Sequence, residues 1–82
     1  MEFSKECCQL GLRVIDEVFE SGHFSPELTE TLNQIDFYDQ LCNLLRIHPV
    51  TNAADLLDQM KNVFDENHVL LVMDENVQAS KR

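Results

Sequence analysis

Apolar residues recur along this chain at three- and four-residue steps, the spacing that gathers side chains on one face of an α-helix. Phe3, Cys7, Leu10, Val14 and Val18 form one stripe. Cys8, Leu12, Ile15 and Phe19 form a second stripe beside it. The pattern predicts a first helix over 4–21, with Ser4 as N-cap and Gly22 at the left-handed position that ends helices. Glu6, Arg13, Asp16, Glu17 and Glu20 fill its polar remainder. Two adjoining stripes make an apolar face wider than one neighbouring helix covers. Gly11 costs about 1 kcal/mol relative to Ala inside a helix, which fits close approach of another helix.

Ser25-Pro26-Glu27 is the clearest local signal. Ser at N-cap, Pro at the first helical position and a carboxylate in the first turn all favour a helix start. Leu28, Leu32 and Ile35 follow at i, i+4 and i+7, so the second helix is expected to end near Ile35. A third helix is expected over 37–47, capped by Asp36 and stopped by Pro49. It is apolar around most of its circumference, which suits a central place in the core. A fourth helix, capped by Thr51 or Asn52, runs to about Phe64. Asp65-Glu66-Asn67-His68 interrupts the pattern, and Val69-Leu70-Leu71-Val72-Met73 follows. Five successive apolar residues fit helix or buried strand by periodicity alone. A lone strand would lack a ladder partner, so a helix over 68–77 is expected, with a short strand as the alternative. The reading is an all-α, compact bundle of four to five short helices. It occupies one domain over residues 1–77, and the tail at 78–82 is expected to fray.

Size narrows this further. A chain of 82 residues hides roughly 60% of its unfolded surface on folding, which leaves a marginal core. The chain is 44% hydrophobic with two Gly and two Pro, too apolar for a disordered acidic tail and too poor in turn residues for a loop-built scaffold. Fifteen acidic residues against six basic ones give a net charge of −9. A nucleic-acid binder needs clustered Lys and Arg to displace counterions. Lys81 and Arg82 sit on the tail, and Lys5, Arg13, Arg46 and Lys61 are well spread, which argues against nucleic acid and against an anionic membrane as direct partners. The odd cysteine count (Cys7, Cys8 and Cys42) and the lack of a secretory h-region fit reduced thiols in a cytoplasmic setting, that of a host cell included.

The chemistry-bearing residues do not form a known catalytic or metal pattern. His23, His48 and His68 are far apart, and Cys7-Cys8 lacks zinc-ligand spacing. Val69 and Leu70 stand where a calcium loop after Asp65 needs an oxygen ligand and Gly. The cysteines lie on apolar faces that disfavour a thiolate, and no Gly-rich phosphate loop is present. No cofactor, metal or enzymatic activity is expected. Length, acidity and helical content resemble acyl carrier proteins, but the carrier serine of that family, in an Asp-Ser-Leu at a helix start, is missing. Ser25-Pro26 and Thr51-Asn52 do not match it, so nothing is carried over from that family.

The remaining expectation is a small acidic protein that binds another protein, one with a basic surface. It would act as an inhibitor, adaptor, secretion chaperone or regulatory subunit by occluding or sequestering its partner. An apolar patch would supply affinity and an acidic rim would supply steering. Phe37 and Tyr38 are the first anchor candidates, because aromatics anchor interfaces and Tyr keeps a polar handle. Phe19 and Phe24 are the second, with Leu12 and Ile15 from the wide stripe and Asp16 and Glu20 as rim carboxylates. The alternatives are a homodimeric assembly protein, pairing through the first helix or residues 69–73, and an acidic mimic of nucleic acid. The mimic would present Asp16, Glu17, Glu20, Glu27 and Glu30 in a row to a DNA-binding protein.

Overall fold

The computed structural model describes the backbone of residues 3–80 and the side chains of residues 3–73. Five helices follow one another: α1 (Lys5–Ser21), α2 (Pro26–Gln34), α3 (Tyr38–Leu45), α4 (Ala53–Val63) and α5 (Glu66–Ser80). The all-α bundle is therefore the observed architecture, and the segment around 69–73 is helix.

Local chemistry explains most boundaries. The Ser4 hydroxyl accepts the Cys7 N–H at 3.1 Å, and the Ser25 hydroxyl accepts the Leu28 N–H at 3.2 Å. Each satisfies a donor that the first helical turn leaves without a partner. Gly22 sits at φ 77° and its N–H returns to the Val18 carbonyl at 2.9 Å, closing α1. At α4 the choice between two caps falls to Asn52, whose Oδ1 accepts the Asp55 N–H at 2.8 Å.

Three boundaries differ from expectation. Asp36 does not cap α3: Phe37 occupies the N-cap position at φ −108°, ψ 39°, with no side-chain cap bond. Pro49 does not stop α3 either, because the chain leaves the helix earlier. Arg46 turns left-handed at φ 56°, and the Ile47 N–H closes back on the Cys42 carbonyl at 3.1 Å. The acidic run before α5 is its cap rather than a break. Asp65 Oδ1 accepts the His68 N–H at 2.9 Å, so the helix begins at Glu66 and continues to Ser80. Residues 81–82, the end of the expected tail, lie outside the described residues.

The buried apolar side chains form one cluster drawn from all five helices. Its centre is leucine-rich, with Leu28, Leu32, Leu41, Leu44, Leu45 and Leu56 fully enclosed. Gly11 is buried on the inner face of α1. Helix α1 packs most extensively on α5 and α3. The Ser4 N–H donates to Gln40 Oε1 at 2.9 Å, tying the start of α1 to the first turn of α3. The radius of gyration, 11.5 Å, matches the roughly 12 Å of a fully collapsed chain of this length.

The helices contribute unequally to that cluster. Helices α1 to α4 each supply two or more buried apolar residues. Helix α5 supplies Val72, fully buried, with Val69 packed beside the cluster. A side-chain bond adds to its docking: His68 Nε2 lies 2.7 Å from the Leu45 carbonyl at the end of α3. The His68 ring also rests on Phe64, with centroids 4.3 Å apart.

Candidate functional site

On an α-helix, residues 69–73 sweep 100° apart and circle the axis more than once. A run of five apolar residues therefore cannot face one core. Val72 turns inward, and its neighbours turn out: Leu70 is 68% exposed, Leu71 54% and Met73 37%. Leu70 and Met73 are spaced i, i+3 and form one ridge, and the exposed Glu66 stands a turn ahead of Leu70 on that same side. Two further apolar side chains stand uncovered elsewhere, Phe19 on α1 at 54% and Val63 at the end of α4 at 38%.

The residues expected to meet a partner fall into three groups. Ile15 and Tyr38 are enclosed in the core, 4% and 9% exposed, and offer little accessible surface. Tyr38 is drawn inward with Leu41, three residues on, into the leucine cluster, and its hydroxyl makes no hydrogen bond among the described residues. Leu12, Phe24 and Phe37 are half-buried, while Phe19, Asp16 and Glu20 are exposed. The wide stripe of α1 is thus covered at Cys8 and Ile15 and open at Phe19. The run 69–73 supplies the most exposed leucines, and its length on a helix is the signal that points to them.

Phe37 belongs to a separate feature. With Leu10 and Ile35 it floors a shallow open cleft of about 400 Å³ between α1 and α2, rimmed by Glu6, Gln9, Arg13 and Thr31. Above it Arg13 bridges two carboxylates: Nε lies 3.1 Å from Glu17 and Nη2 lies 3.9 Å from Glu27. The carboxylate row of α1 and α2 is therefore interrupted by a guanidinium, which weakens its likeness to a line of phosphates.

Glu17 also ties two elements together. Its Oε1 accepts the Ser25 N–H at 2.7 Å, joining the end of α1 to the cap of α2. Partial burial pushes its pKa up, but the Ser25 and Arg13 hydrogen bonds outweigh that and hold it below the ordinary value. The thiols behave oppositely. Burial, with Cys8 and Cys42 nearby, pushes Cys7 up to about 12, and burial also raises Cys8 and Cys42. All three are protonated, inert core groups at neutral pH. Among the described residues no cluster of three or more His, Cys, Asp or Glu is placed to hold a metal ion. No helix there is long and apolar enough to cross a membrane.

Comparison with protein-family models, with curated proteins and with solved structures finds no match to this chain.

Proposed function

We propose that this protein acts by binding another protein through the outer face of α5, occluding or sequestering that partner. One observation carries the reading: a helix whose inner side is anchored by Val72 turns Leu70 and Leu71 into solvent beside Met73. Covering what remains exposed of each leucine would contribute about 1–2 kcal/mol, so a small patch suffices as the centre of an interface. The net charge of −9 supports a partner with a basic surface, which the acidic surroundings would steer into encounter. Phe19, with exposed Asp16 and Glu20 on the same helix, offers a smaller second contact.

The test is affinity capture from the native cell with the wild-type chain and with Leu70→Ser/Leu71→Ser, the bound proteins being identified by mass spectrometry. Both side chains are more than half exposed, so the double substitution leaves the core intact. A defined partner retained by the wild type and lost by the variant is expected. Equal retention by both chains would remove α5 from the interface.

A further inference from the structure

We infer that the segment received by α5 is a cationic amphipathic helix, packed along the Leu70–Met73 ridge. This rests on the proposed role of α5 and specifies the chemistry of its occupant. The shape of the exposed face suits a helix. The exposed apolar residues project from a single convex helix, at i and i+3 with Leu71 alongside, and the cleft around Phe37 lies instead on α1 and α2. A convex helical ridge is complemented by the groove between side-chain rows of another helix, the geometry by which helices pack. The length of the ridge, one turn, matches a partner's anchors at i, i+3 or i+4.

The charge around that face suits a cationic occupant. The sequence of α5 contains Glu66, Asp74 and Glu75 and neither Lys nor Arg, and its last turn holds no basic residue. Lys81 and Arg82 follow only after Ser80, eight or more residues beyond Met73 in the sequence. Asp65, exposed, adds a carboxylate just before the helix. Lysines flanking an apolar stripe on the incoming helix would offset this charge while the stripe covers Leu70, Leu71 and Met73. A second copy of this chain brings the same acidic helix and the same net −9, so like charges oppose pairing of α5 with itself. An anionic lipid surface is repelled for the same reason.

The probe is a synthetic amphipathic peptide of Leu and Lys, titrated into the full-length, isotope-labelled chain and followed by amide and methyl NMR. An isomer with the same composition but scrambled order, and a Leu/Glu version, serve as controls. Shifts concentrated at residues 66–73 are expected, with affinity at least tenfold weaker for Leu70→Ser/Leu71→Ser and unchanged for Asn33→Ala, an exposed site on α2. Affinity should also fall with added salt. No binding by the Leu/Lys peptide, or equal binding by the scrambled or acidic peptides, overturns the inference. So do shifts centred on the Phe37 cleft. If cellular capture still yields a partner lost on the Leu70/Leu71 substitution, the role of α5 stands and only the helical cationic occupant falls. Sedimentation showing a dimer abolished by the same substitution would assign the ridge to a second copy instead.

Discussion

At the scale of single residues, the informative groups are polar atoms placed among leucines. Tyr38 is an aromatic with a polar end beside Phe37, the composition of an interface anchor, yet its ring is buried and its hydroxyl finds no partner among the described residues. Sequence could not decide this, because α3 is apolar nearly all round and either side of it can face inward. A buried hydroxyl without a hydrogen bond costs about 1–3 kcal/mol. Tyr38→Phe is therefore expected to leave stability unchanged or raise it by about 1 kcal/mol, read from urea unfolding midpoints. A loss beyond about 1 kcal/mol would show that the hydroxyl is bonded in solution. The thiols give a second readout. With Cys7, Cys8 and Cys42 enclosed and their pKa values raised, alkylation in native buffer should proceed only through opening of the fold. Its rate should rise in parallel with the unfolded fraction as urea is added, and fast labelling without denaturant would contradict the packing of α1 on α3. Raised thiol pKa values also carry a sign: they support stability below the unfolded value near 8.5 and lose that support as pH climbs through the folded values.

At the scale of elements, the chain was legible where the signals are local. Ser4, Gly22, Ser25-Pro26 and Asn52 act within one helical turn, and each bounds a helix in the structure. Boundaries that depend on the neighbourhood were not legible. Asp36 has the right chemistry for a cap, but Phe37 takes that position where α3 packs into the core. Arg46 ends α3 through a left-handed turn that its sequence does not advertise. Asp65 read as an interruption because apolar spacing lapses there, although an Asp three residues before a backbone donor is a cap. The joint between α1 and α2 rests on Ser25, whose side chain caps α2 while its N–H reaches Glu17. Ser25→Ala is expected to cost about 1 kcal/mol, since the cap is lost and the Glu17 contact, made by the backbone, remains. Chemical denaturation of both chains checks this. A loss below a few tenths of a kcal/mol would mean that α2 is held by Leu28 and Leu32 alone.

At the scale of the whole molecule, two properties follow from excess: more negative charge than the fold neutralises, and more apolar residues on α5 than the core accepts. The charge predicts that moderate salt stabilises the free protein, because screening relieves its self-repulsion. The melting temperature should rise by a few degrees between low and physiological ionic strength, and a fall would point to ion pairs outweighing repulsion. The expectation of spare apolar surface came from five short helices sharing one small core. Its location was only half legible, because the width of the α1 stripe drew attention to residues that α1's neighbours cover. What remained outside was the other side of the terminal helix, where one inward residue, Val72, already fixes the orientation of the rest. The most direct test is solvent relaxation of the leucine methyl groups by a soluble paramagnetic agent, measured on the free chain and again with the captured partner. The methyls of Leu70 and Leu71 should relax strongly in the free protein and become protected in the complex, while those of Leu28 and Leu32 stay protected throughout. Leu70 and Leu71 methyls already shielded in the free monomer, or equally exposed after the partner binds, would contradict the account.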